Sequence, residues 1–186
     1  SLGQIQQDIR NATKLEHLKQ VSQDIRQLVQ NMLMQEVATE QIIAFISMLK
    51  DKLVQRVIEW EFQAVEEQQI NYCWVTFASA GRGEQTLNTV QTNALIFNGE
   101  GQEHNELMQK ILIDAARRVN HILAECDFPF KPHRMLAGNL QGCLSLRQWQ
   151  VVITQSLTLA RNDGTVHADF FDVQAVAGDG RLAERI

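Results

Sequence analysis

The first 70 residues contain one glycine, Gly3, and no proline. A run so poor in residues that bend or break the chain is committed to helix if its apolar residues recur at helical spacing. They do. Ile5, Ile9, Ala12, Leu15, Leu18, Val21, Ile25, Leu28 and Met32 follow at steps of three or four, and Ile42, Phe45, Ile46, Leu49, Leu53, Val57 and Trp60 carry a second stripe. Gln and alternating charge fill the remaining faces. The spacing predicts two long amphipathic helices folded as an antiparallel hairpin over residues 1–68. Packing of these stripes against the domain that follows is the favoured arrangement, and a homodimer through the same stripes is the alternative.

The pattern changes at residue 71. Tyr72-Cys73-Trp74-Val75-Thr76-Phe77 is aromatic and β-branched, which predicts a strand. It runs into Ala78-Ser79-Ala80-Gly81-Arg82-Gly83-Glu84-Gln85, a small-residue turn that opens a short helix. A second strand is predicted at Val90–Phe97, closed by the turn signal Asn98-Gly99. Residues 103–125 read as a helix with Leu107, Ile111, Ala115, Val119, Ile122 and Leu123 on one side, ended by Phe128-Pro129-Phe130-Lys131-Pro132. Residues 144–159 read as another helix carrying Leu146, Trp149, Val152 and Ile153, and His167–Val176 as a third strand. The expected class is α/β (α+β): an N-terminal helical hairpin, then a mixed sheet flanked by helices over residues 69–186.

Composition removes several classes of function. With 45% hydrophobic and 21% charged residues, the 186-residue chain can bury a real core and is not intrinsically disordered. Its net charge is −5, and Arg117-Arg118 is its only adjacent basic pair, a poor footprint for DNA. No apolar run reaches the roughly 18 residues of a membrane helix. SLGQIQQDIR has neither the basic nor the apolar region of a signal peptide. Lacking an initiator Met, it is expected to be part of a larger protein. Cys73, Cys126 and Cys143 form no CxxC, so neither a zinc site nor a disulfide framework is predicted. Free thiols in a reducing cytoplasm are expected. The histidines, His17, His104, His121, His133 and His167, are dispersed without metal-ligand spacing. Ser79 lacks the G-x-S-x-G frame of a hydrolase nucleophile.

A strand that feeds a Ser/Gly-rich turn into a helix N-terminus is an anion site, because unpaired backbone N–H groups and the positive end of the helix dipole converge there. The run from Ser79-Ala80-Gly81-Arg82-Gly83-Glu84-Gln85 to Thr89-Val90-Gln91-Thr92-Asn93-Ala94-Leu95 resembles the motif of the polymerase-β-type nucleotidyltransferase superfamily. It is most similar there to the PII-protein uridylyltransferase-like domains that follow cyclic-nucleotide-binding and CBS-pair modules in bacterial signalling proteins. That motif reads GS-x-GRGEQ-x-L-x-TDQDNAL. Leu136-Ala137-Gly138-Asn139, Leu144-Ser145-Leu146 with Trp149, and Phe170-Phe171-Asp172 through Gly178-Asp179-Gly180-Arg181-Leu182 resemble later blocks of the family. The resemblance spans roughly residues 70–182. It implies Mg²⁺ and a nucleoside triphosphate as cofactors of an active member, with a protein as substrate or partner and CBS or cyclic-nucleotide-binding domains as neighbours.

The departures bear most on function. The family places its metal-binding carboxylates two apart on one strand, where alternation points both to the same face. Here those positions hold Val90 and Thr92. Ala78 replaces the first glycine, and Gln174 stands where the family has Arg. Ser79, Gly81 and Arg82 are retained as nucleotide- and phosphate-binding candidates, and Asp172 as a remnant carboxylate. For Arg82 the alternative to phosphate is a pair with Glu84; for Asp172 the alternative to a metal is a pair with Arg181. Glu84 and Gln85 complement the dipole of the helix they open. Asn139 is either a ligand contact or a turn residue, and Cys73, Trp60, Trp74 and Trp149 are expected in the core or at domain contacts. With no metal assigned, the expectation is a nucleotide-binding regulatory domain with lost or reduced transfer. The alternatives are an active Mg-dependent transferase and a dimerisation scaffold with a vestigial pocket.

Overall fold

The computed structural model describes residues 1–77, 90–99, 101–131, 133–163 and 173–186. Helices α1 (Leu2–Asn11), α2 (Leu15–Met34), α3 (Thr39–Glu61) and α4 (Gln63–Glu67) precede strand β1 (Tyr72–Phe77). Strand β2 (Asn93–Phe97), helix α5 (Gln102–Glu125), strand β3 (Cys143–Ser145) and helix α6 (Leu146–Asp163) follow. Strand β4 (Val173–Gly178) and helix α7 (Gly180–Glu184) close the chain. The sheet order is β3-β2-β1-β4, with β3 parallel to β2 and both β2 and β4 antiparallel to β1. The mixed α/β class is the expected one. Among the described residues, no helix is long and apolar enough to cross a membrane.

The N-terminal stripe is divided rather than continuous. The chain leaves the helix at Ala12, whose φ of −64° and ψ of 130° are extended, and re-enters it after Lys14. The Arg56 guanidinium of α3 donates through Nε and Nη2 to the Ala12 carbonyl at 3.2 and 2.9 Å, supplying the bond that the break removes. The stripe survives because Ile5 and Ile9 on one side of the break face the same core as Leu18, Val21, Ile25 and Met32 on the other.

Three helices close on a left-handed residue that is not glycine. Glu36, Gln69 and Asp127 take φ values of 58°, 53° and 71°. In each case the next N–H reaches back five residues, from Val37 to Met32, Ile70 to Val65 and Phe128 to Leu123, at 3.0 to 3.1 Å. This six-to-one closure is the Schellman pattern, which glycine usually serves.

The sheet is covered on both faces. Tyr72, Trp74, Leu95, Phe97 and Val176 pack towards α1, α2, α3 and α5 around Leu49, Leu53, Phe62, Leu112 and Leu123. Cys73, Val75, Ala94 and Ile96 face Leu146 and Trp149 of α6 and Leu182 of α7. Trp74 and Trp149 are thus core residues, as expected. β4 carries a bulge: Trp74 pairs with Ala177 but Val75 with Ala175, leaving Val176 unmatched. The Val176 carbonyl accepts from Gln55 Nε2 of α3 at 2.7 Å.

Several boundaries differ from expectation: the ladder of the second strand starts at Asn93 rather than Val90, and the third strand, expected at His167–Val176, runs to Gly178, with its residues 167–172 outside the described residues. The helix expected at 144–159 begins at Leu146 and reaches Asp163, after a three-residue strand. Ser145 Oγ accepts from the Gln148 N–H at 3.2 Å and Gln148 Oε1 accepts from the Ser145 N–H at 2.9 Å, a reciprocal cap that fixes the start. On α5, Leu107 is 56% exposed, and the buried line runs through Leu112, Ala116, Val119 and Leu123.

Candidate functional site

Three chain segments meet at one end of the sheet. β1 finishes there with Thr76 and Phe77, while β2 and β4 start there. Thr76 pairs with Asn93 on one side and Gln174 on the other, and Phe77 pairs with Val173. The described chain therefore leaves off after Phe77 and resumes at Val173 at this same end of the sheet. Ser79, Gly81, Arg82 and Asp172, with Ala78, Glu84, Gln85 and His167, lie outside the described residues. Val90 and Thr92 are within them, both half-buried.

Residues 90–92 precede the ladder, yet they are held in line with it. The Gln91 N–H donates to the Pro129 carbonyl at 2.8 Å and the Asn93 N–H to the Met135 carbonyl at 3.0 Å. The strand expected from Val90 thus pairs first with the connection after α5, and only from Asn93 with β1. Strand alternation gives Val90 and Thr92 the face of Ala94 and Ile96, that of α6 and α7. Gln91 and Asn93 take the opposite face, towards α5.

That opposite face holds a group of buried amides that a reading of the sequence for charged ligands passes over. Gln91, Asn93 and Asn120 of α5 are 7%, 4% and 2% exposed. Asn120 Nδ2 donates to Gln91 Oε1 and to Asn93 Oδ1, each at 3.0 Å. Asn93 Nδ2 donates to Gln91 Oε1 at 3.3 Å. Gln91 Nε2 donates to the carbonyls of Asn120 and Phe128 at 2.9 and 2.6 Å. The remaining acceptors hold a loop: Asn93 Oδ1 accepts from the Ala137 N–H at 2.8 Å and Asn120 Oδ1 from the Gly138 N–H at 2.9 Å. Gly138 fits because it lacks a side chain; a Cβ there would lie 2.7 Å from both Arg117 Cα and Asn120 Oδ1. The sequence did carry a signal, since Gln91 and Asn93 share the parity of Leu95 and Phe97, and Asn120 falls in step with Ala116 and Leu123.

Other candidates resolve more simply. Asn139 is exposed, and its backbone closes turns through bonds to Leu136 and from Gly142. Gln174 is exposed on β4. Arg181 grips Asp179 through Nε and Nη2 at 3.0 Å each. Those bonds, with one from Asn71, hold the Asp179 carboxyl down at about 2. The adjacent basic pair Arg117-Arg118 lies on a groove lined also by Glu61, Asp114, His121 and Ile122, where Arg118 pairs with Glu61 at 2.9 Å. Lys50 sits 4.7 Å over the Phe128 ring, and burial pushes its ammonium down to about 8. Burial pushes the thiols of Cys73 and Cys126 up to about 11 and that of Cys143 to about 12, so none is primed as a nucleophile.

Among the described residues, no three His, Cys, Asp or Glu side chains gather where they could hold a metal ion. Val90 offers no ligand atom and Thr92 a single neutral hydroxyl. The described part of the site does not fit Mg²⁺, a hard cation that takes anionic oxygen. What this sheet end presents instead is a neutral strand start, an amide-bound loop and ordered backbone. No curated protein matches the chain. A family model described as "Putative nucleotidyltransferase DUF294" matches residues 23–163, from α2 through α6, and so spans Val90, Thr92 and all three buried amides.

Proposed function

Because the chain belongs to the family described as Putative nucleotidyltransferase DUF294, we propose that it is a nucleotide-binding regulatory domain of a bacterial signalling protein whose transfer activity is lost or reduced. The carrying observation is the pair Val90 and Thr92. Both share one face of the strand start at the end of β1, at the positions where the resemblance puts paired carboxylates. Two-metal transfer draws several kcal/mol of transition-state stabilisation from cations clamped between such carboxylates and the phosphates, roughly a thousandfold or more in rate. An isopropyl group and a hydroxyl supply no such clamp.

The same replacement favours binding without a cation. Paired carboxylates repel a polyphosphate until a metal screens them, and their absence removes that repulsion. The retained Ser79, Gly81 and Arg82 would then meet the phosphates, with Asp172 a remnant of the original carboxylate set. Neighbouring CBS or cyclic-nucleotide-binding domains would receive the signal. Buried, unpaired thiols support a reducing compartment, the cytoplasm.

Calorimetry with ATP, UTP and CTP tests the binding, with heat expected in both the presence and absence of Mg²⁺. Transfer of label from each nucleotide to a bacterial lysate tests the chemistry. No transfer is expected from the wild type, and gain of transfer only in the Val90→Asp/Thr92→Asp double variant supports a disabled pocket. Robust wild-type transfer sinks the reading, and so does absence of heat with every nucleotide.

A further inference from the structure

We propose that the amides of Gln91, Asn93 and Asn120 form a positioning hub for the ligand site, in which Asn120 fixes both the rotation of the strand start that bears Thr92 and the seat of the Leu136–Asn139 loop. This deepens the reading above and rests on it for the identity of the ligand.

The hub is more than a filled core. A buried amide group costs free energy to desolvate, and replacing satisfied polar partners by apolar groups of the same shape can be neutral or stabilising. What the amides supply is direction. Each bond fixes one donor against one acceptor, so three side chains from two elements adopt one arrangement. In an extended chain Thr92 cannot rotate unless Gln91 and Asn93 rotate with it, and both are locked to Asn120. Ala137 and Gly138 have their N–H groups on the same hub, through Asn93 Oδ1 and Asn120 Oδ1. One side chain on α5 therefore adds side-chain bonds to two backbone segments that the bond from the Asn93 N–H to the Met135 carbonyl already brings side by side. Asn120 lies on the α5 face and Thr92 on the α6 face, so its influence on a ligand beside Thr92 runs through position alone.

Asn120→Asp tests this with little change in shape. The protonated acid keeps one O–H donor for the hub. The ionised form donates nothing and sets a negative charge against Gln91 Oε1 and Asn93 Oδ1. ATP and UTP affinities per folded molecule, taken as ratios to wild type at the same pH, should be nearly equal at about pH 5 and fall roughly tenfold at about pH 8. A residue that only stabilises the fold would change the folded fraction and leave this ratio flat. A flat ratio overturns the proposal.

Amide NMR supplies a readout independent of any nucleotide. In the wild type, the Ala137 and Gly138 N–H protons should exchange at least about a hundredfold more slowly than in an open chain. In Asn120→Asp at about pH 8 the Ala137, Gly138 and Thr92 amide resonances should shift together. If the wild type binds no nucleotide, the functional reading fails alone and the hub is judged on these resonances. An unmoved Thr92 signal refutes it. Should the variant fail to fold, open-chain exchange at Ala137 and Gly138 in the wild type refutes it equally.

Discussion

Replacing Gln55 by leucine removes the donor that serves the bulge in β4. Val176 has no partner on β1, and its carbonyl depends on Gln55 Nε2 at 2.7 Å. Leucine keeps most of the side-chain volume and offers nothing to the oxygen, which is then covered but unbonded. Orphaning a buried carbonyl costs about 1–3 kcal/mol, and the lower half of that range applies because this bond is only partly buried. With a urea m-value of about 2 kcal/mol/M, a loss of about 1–2 kcal/mol lowers the unfolding midpoint by about 0.5–1 M at unchanged m. Gln55→Ala should lose less, since water can then reach the carbonyl. Urea titration followed by circular dichroism and tryptophan fluorescence measures both. Hydrogen exchange should localise the weakening to β4 and its β1 partners, leaving α2 untouched. A Gln55→Leu midpoint equal to that of wild type would refute the reasoning, because the bulge would then be held by its ladder neighbours alone.

Glu36→Gly relieves a left-handed backbone at the end of α2 and should stabilise the chain by about 0.5–1 kcal/mol, read as a rise in thermal midpoint of about 1–4 °C; a lower midpoint contradicts it. Asp127→Gly should gain less, because Asp127 also pairs with Arg26 at 2.9 Å. Asp179 is held at about 2 by its Arg181 and Asn71 hydrogen bonds, against about 3.9 in an unfolded chain. Its contribution is therefore present above about pH 4 and lost as pH falls towards about 2. Asp179→Asn keeps a capping side chain, so the stability gap between wild type and variant should close across that window, and a gap that persists at about pH 2 counts against the assignment.

Much of the architecture was legible because it rests on periodicity. The strand expected from Tyr72 to Phe77 has those bounds, and the helix expected at 103–125 is α5 within one residue. The helix ends were harder for a definite reason. Reading stops from glycine and proline finds none before residue 70, yet Glu36 and Gln69 adopt the left-handed conformation themselves, and Arg56 supports the break at Ala12 from another helix. β3 escaped notice because three residues ending in a capping serine read as the helix they introduce. At the site, Val90 and Thr92 lie on the strand start beside the end of β1, while Ser79, Gly81, Arg82 and Asp172 lie outside the described residues. The amide hub was not legible. A polar residue in an apolar phase declares itself only when its partners are known, and those of Asn120 come from β2 and from a loop beyond α5.

The position of β1 in the sheet has a consequence for synthesis. Its pairing with β2 closes early, but its other edge waits for residues 173–178. Connections that distant in sequence carry a large closure entropy and form late. A nascent chain emerging from the ribosome would thus expose an open β1 edge through the making of α5 and α6, inviting mispairing or a chaperone. Only as β4 docks is the second edge of β1 covered.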